Sequence, residues 1–247
     1  MGRRKSKKNL NKLILTLSVA VIFAVANYFG IELESYINDI SNKYKISYTT
    51  SFDLSSIPKF SNEPYVVLND NHPEFAEEDF NKDTFEQYSE LDYLGRCGPA
   101  FAKVGIETMP TEERGEIGQV KPSGWQTVKY DSVDGKYLYN RCHLIGYQLT
   151  GENANERNLI TGTRYMNVQG MLPFENMVAE YVRETKNHVL YKVTPIFEDE
   201  NLVANGVQIE AKSIEDNGEG ICFNVYVYNN QPGIKIDYAN GDSSLIQ

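Results

Sequence analysis

The stretch Tyr139-Asn140-Arg141-Cys142-His143-Leu144-Ile145-Gly146-Tyr147 decides how the rest of this chain is read. A short strand pattern from Lys136 to Tyr139 leads directly into an Asn-Arg-x-His cluster. An imidazole titrates near about pH 6.5, so a histidine so placed can exchange protons in neutral water. A lone histidine after a strand is more often structural, and its meaning therefore depends on the residues downstream of it. Asn158-Leu159-Ile160-Thr161 reads as a second strand, and Arg164-Tyr165-Met166-Asn167 opens a helical region. Phe174, Met177, Val178, Tyr181 and Val182 recur there at helical spacing, with Pro173 suited to a first turn. Glu175 stands eight residues beyond Asn167. An unbroken helix would put the two on neighbouring faces about two turns apart, but Gly170 and Pro173 argue against continuity.

Outward from this core the pattern is mixed. Tyr65–Leu68 reads as a first short strand, and residues 73–87 as an acidic loop with one helical turn. Tyr93–Gly105 reads as a bent strand, and the Gly- and Pro-rich Met109–Gly124 as mostly loop. Three alternating runs follow the helix: Val189, Tyr191 and Val193; then Val203, Val207, Ile209 and Ala211, broken at Asn205-Gly206; then Ile221, Phe223, Val225 and Val227. They predict an antiparallel sheet with one covered face, and the class is α+β. His72 reads as a loop residue and His188 as a cap where helix passes to strand.

Charge divides the chain. Six of its 24 Lys and Arg lie in the first 12 residues, which hold no acid; the rest carries 18 basic against 34 acidic side chains, −16. A body this acidic does not hold nucleic acid by bulk charge, although a local basic site is not excluded. Leu13–Phe29 is apolar and follows the basic cluster, the layout of a signal peptide or an uncleaved membrane anchor, with Ala24-Val25-Ala26 as a cleavage site in the first case. Either reading places the body outside the cytoplasmic membrane, secreted or anchored to its outer side. The expected layout is residues 1–30 as signal or anchor, 31–57 as a polar stalk, 58–240 as the functional domain and 241–247 as a tail. Three cysteines allow at most one internal disulfide, and three histidines without a CxxC make a structural zinc site improbable.

From about Pro58 to Tyr238 the sequence resembles the DNA/RNA non-specific endonucleases of the ββα-metal (His-Me finger) class, above all their secreted and membrane-anchored bacterial members. The resemblance rests on YNRCHLIGYQLTG (139–151), NLITGT (158–163), RYMN (164–167) and MLPFENMVAEYV (171–182), with KPSGW (121–125) and QIEAKS (208–213) adding to it. The family signature Asp-Arg-Gly-His reads Asn140-Arg141-Cys142-His143 here. The implied fold is a ββα-metal finger set against a mainly antiparallel sheet.

The same resemblance implies roles. His143 matches the general base that deprotonates the attacking water, and Asn167 the single protein ligand of Mg²⁺, for which Mn²⁺ could substitute. Mg²⁺ prefers octahedral oxygen and keeps several waters, so one amide oxygen with substrate phosphate can suffice. Glu175 matches a carboxylate holding one of the metal's waters, Asn158 a polar neighbour that helps shape the site with the substrate phosphate, and Arg141 a support of the site; beside these stand structural readings, Asn158 satisfying a turn and Glu175 a favourable first-turn acid beside Pro173. Arg114 is the candidate phosphate clamp, with Arg96, Arg157 and Arg164 as competitors, because a guanidinium recognises phosphate in a planar, bidentate way. The implied activity is hydrolysis of DNA, with RNA as a second substrate, to 5′-phosphate ends. No base-reading element is visible, so little sequence specificity is expected. Two other readings stand beside it: a catalytically silent nucleic-acid-binding surface protein, and a phosphodiesterase acting on lipid or cell-wall phosphate.

Overall fold

Alternating apolar residues build the sheet that carries everything else. In the computed structural model, which describes residues 54–246, six strands lie in the order β1-β8-β7-β6-β3-β2, with every pair antiparallel. They are β1 (Tyr65–Val67), β2 (Glu86–Tyr88), β3 (Ala100–Val104), β6 (Val189–Ile196), β7 (Gly206–Ser213) and β8 (Cys222–Tyr228). Side chains alternate between the two faces of a strand, so Ala102, Tyr191, Ala211 and Phe223, opposite one another in register, share one face. That face packs in one buried cluster with Phe174, Val178, Ala179 and Val182 of the long helix α3 (Leu172–Thr185). The reverse face is covered by the segment before β2, including the single helical turn α1 (Glu77–Phe80). Phe75 stacks on Phe101, and the buried Glu210 accepts from the Glu74 N–H and pairs with Lys192 at 2.7 Å.

A separate two-stranded hairpin, β4 (Tyr139–His143) and β5 (Leu159–Thr163), pairs in full register from Tyr139 opposite Thr163 to His143 opposite Leu159. Between its strands lies the short helix α2 (Tyr147–Thr150). A second hairpin, β9 (Ile234–Ile236) with β10 (Ser243–Leu245), comes after the sheet.

Several expectations need correction. The Asn-Arg-Cys-His residues lie within β4 and not beyond a strand ending at Tyr139. The bent strand expected over 93–105 reduces to β3, because residues 93–95 form a turn around the left-handed Gly95. Val203 lies ahead of β7, in a loop, and β2 and the β9–β10 hairpin were not foreseen. Ser243–Leu245, placed in a tail by composition, is held by β9. The antiparallel α+β sheet with one helix-covered face is as expected.

The helix is the most consequential difference. Gly170 and Pro173 do not break it: residues 166–171 form a π turn that runs into α3, and the Leu172 N–H donates to the Asn167 carbonyl, five residues back. Gly170 is needed there, since a Cβ on it would stand 2.3 Å from Cγ1 of Val227 on β8. All three cysteines are free thiols. The signal or anchor segment and most of the proposed stalk lie outside the described residues; among those described, no helix is long and apolar enough to cross a membrane.

Candidate active site

β4 presents alternate residues to opposite sides. Arg141 and His143 share one face, and Asn140 and Cys142 the other. The buried His143 closes the strand and is gripped at both ring nitrogens. Nε2 lies 2.7 Å from the Asn153 backbone carbonyl, which can only accept, so Nε2 carries the proton. Nδ1 therefore holds the free lone pair, and it accepts from Nη2 of Arg114 at 3.3 Å. Burial holds the imidazole down to about 4; the bond to Asn153 works against this and the Arg114 charge adds to it. The ring is thus neutral across the neutral pH range.

On the other face Asn167 donates from Nδ2 to Oδ1 of Asn140 at 3.1 Å. No hydrogen bond from the described residues reaches Oδ1 of Asn167. Glu175 is buried at the start of α3, and burial pushes its carboxyl up to about 7 against the pull of Arg114 and a hydrogen bond with Gln148. It lies against the turn after β4, where a Cβ on Gly146 would stand 2.4 Å from Oε2 of Glu175. The π turn sets the relation of Asn167 to Glu175. An α-helix turns about 100° per residue, so eight residues would leave them roughly 80° apart. The extra residue taken up by a π turn cuts this to about 20°, one face of the helix.

The expected arginines separate cleanly. Arg96 is spent on Asp92 and on the carbonyls of Asp199 and Asn201; Arg157 pairs with Glu90 and Arg164 with Asp134. Arg114, the candidate clamp, is the one that reaches the histidine. Its loop is anchored by Tyr147, whose hydroxyl donates to the Glu112 carbonyl at 2.9 Å. The Arg141 guanidinium donates to the carbonyls of Val120 and, at 2.7 Å, Gly118, and stacks 4.0 Å from the Trp125 ring centre. It clamps the glycine-rich loop over the hairpin.

Of the two readings of Asn158, the structure favours the turn over the phosphate. The residue is fully buried; its Oδ1 accepts from the Ile145 N–H at 2.9 Å and its Nδ2 donates to the Ile145 carbonyl at 3.0 Å. Both ends of the amide are consumed by main chain, so it braces the turn after His143 and offers nothing to a phosphate. His188 does sit between helix and strand, bridging Glu215 and Glu107 at 2.5 and 3.1 Å. Sequence reasoning missed Asn153, which acts through a main-chain carbonyl and so leaves no side-chain signal. It also missed a role for Asn140, although that residue stood inside the quoted motif.

On this ββα finger, β4 thus carries a neutral histidine with an arginine at its Nδ1, and the helix after β5 carries an amide oxygen with no hydrogen bond from the described residues and a buried carboxyl group. Residues 78–215, more than half of the chain, match the DNA/RNA non-specific endonuclease family, and the chain belongs to it. It is a nuclease of the hydrolase class. Among solved structures it is similar to NucA from Streptococcus agalactiae with magnesium bound: 25% identity over 78% of this chain and 93% of that one, TM-score 0.68. The metal-free form of that protein gives 26% identity over 78% and 92%, TM-score 0.67. Sda1 nuclease with a bound zinc ion shares 28% identity over 75% of this chain and 97% of that one, TM-score 0.57.

Proposed function

We propose that this protein is an Mg²⁺-dependent, sequence-nonspecific endonuclease that cuts DNA, and RNA as a second substrate, to 5′-phosphate ends. The observation that carries the reading is the tautomer of His143: with Nε2–H committed to Asn153, Nδ1 is the basic atom, and it faces Arg114. A neutral Nδ1 can accept a proton from water attacking phosphorus, and His143 held down to about 4 keeps that lone pair at neutral pH. Arg114 would leave Nδ1 for an entering phosphate, because a charge-assisted guanidinium–phosphate pair is stronger than a 3.3 Å bond to a neutral nitrogen.

The donor set suits a hard cation. Asn167 keeps Oδ1 uncommitted, and among the described residues no three His, Cys, Asp or Glu side chains converge to hold a metal. One amide oxygen suits an ion that retains its waters and takes phosphate oxygens, as Mg²⁺ does. Bound there, Mg²⁺ would supply Lewis-acid stabilisation of charge on the phosphate and on the departing 3′ oxygen. Glu175, on the same helix face, would accept from a metal-bound water. The chain resembles a protein solved with magnesium, and the apolar segment at 13–29 supports a secreted or membrane-anchored location.

The test is cleavage of supercoiled plasmid by the full chain with Mg²⁺, with EDTA, and after His143→Ala. Nicking that needs both metal and His143 is the expected result. Cutting that survives His143→Ala would place the base elsewhere, and a folded wild type that binds DNA without cutting it would support the silent binding protein.

A further inference from the structure

We infer that Asn140 is a positioning residue for the metal ligand: its side-chain oxygen selects the orientation in which the Asn167 amide keeps Oδ1 free for a cation. The inference rests on the reading of Asn167 as that ligand.

A carboxamide has two ends of nearly equal shape and opposite chemistry, an acceptor oxygen and a donor NH₂. Turning the group over exchanges them. With NH₂ outward, Asn167 would direct two positive hydrogens at a cation and could not ligate it. Something must therefore choose the orientation, and the backbone cannot, although the Leu172 N–H bond to its carbonyl fixes the Asn167 main chain within the π turn. The selecting contact is the 3.1 Å bond from Asn167 Nδ2 to Asn140 Oδ1, an oxygen that can only accept. Asn140 lies in β4, in register opposite Gly162 of β5, so the acceptor belongs to the hairpin and the ligand to the helix. The bond thus ties the two halves of the finger at the atom where ligand chemistry is decided.

Asn140 does this without charge. An aspartate at the same position would keep the acceptor and bring a negative charge beside the cation. A neutral Asn140 leaves phosphate oxygens and the buried Glu175 to supply the anionic surroundings. Hydrogen-bond partners of metal ligands are typically worth 10- to 100-fold in metal affinity.

The experiment is Mn²⁺ binding by the full chain, followed by loss of the free-ion EPR signal, with a nuclease-resistant phosphorothioate oligonucleotide present. Wild type, Asn167→Ala, Asn140→Ala and Asn140→Asp are compared, with a thermal melt of each. Asn140→Ala should weaken Mn²⁺ roughly 10- to 100-fold, while Asn140→Asp, which keeps the acceptor, binds at least as tightly as wild type. If Asn167→Ala abolishes binding but Asn140→Ala leaves it unchanged, the positioning role is wrong and the ligand reading stands. If Asn167→Ala binds as wild type does, or wild type binds no Mn²⁺, the ligand reading falls and this inference with it. Should Asn140→Ala fail to fold, Asn140→Asp decides: a tenfold or greater loss in that variant overturns the role.

Discussion

Replacing Asn158 with alanine should damage the fold and not the grip on substrate. The structure sets the size of the effect. Asn158 makes two buried hydrogen bonds to the same residue, 2.9 Å from the Ile145 N–H and 3.0 Å to the Ile145 carbonyl. Ile145 is fully buried, so neither of its main-chain groups can turn to water when the amide is removed. Each orphaned group costs about 1–3 kcal/mol, which gives about 2–6 kcal/mol for Asn158→Ala. For a domain of this size, 1 kcal/mol moves Tm by about 2–4 °C, so even 3 kcal/mol lowers it by about 6–12 °C. The assay pairs a thermal melt by circular dichroism with KM for a short duplex, measured well below the melt. A Tm within about 2 °C of wild type together with a severalfold rise in KM would refute the argument, since a phosphate contact would behave in that way.

Glu175→Gln should show a stability difference that depends on pH. The Glu175 carboxyl is pushed from 4.5 in the open chain to about 7 in the fold. Between those values the folded state holds the extra proton, so stability falls as pH rises from 4.5 to 7 and the whole cost stands above 7. Chemical denaturation in EDTA should find the variant more stable than wild type by up to about 3 kcal/mol at pH 8, with no such gain at pH 4; an equal difference at both would be inconsistent with a buried, raised carboxyl. Gly146→Ala places a methyl 2.4 Å from Oε2 of Glu175, and the carboxylate must move; kcat should drop at least tenfold with a modest loss of Tm, as read in the plasmid assay. Arg141→Ala removes the bonds to the Gly118 and Val120 carbonyls and the stacking on Trp125, so limited proteolysis should cut within residues 115–125 faster than in wild type.

Periodicity and punctuation alone made much of this protein legible. The alternating runs after residue 188 could bury their apolar side only as a sheet, and the 174–182 stripe only as a helix against it. The Asn-Arg-x-His cluster located the hairpin because polar, chemistry-bearing side chains are unusual so close to a strand. Local sequence could not show where two ends of one side chain go. Asn158 and Asn167 look alike in the chain, each an asparagine beside an apolar run. One spends its amide on the backbone of Ile145, thirteen residues away, and the other keeps an oxygen free, because β5 and the π turn bring them to different partners. The continuity of the helix was likewise a tertiary outcome. Gly170 and Pro173 are poor α-helix residues, but a π turn accommodates the proline, and close packing on Val227 requires the glycine. That turn, which no local rule foretold, is what sets Asn167 and Glu175 on one face.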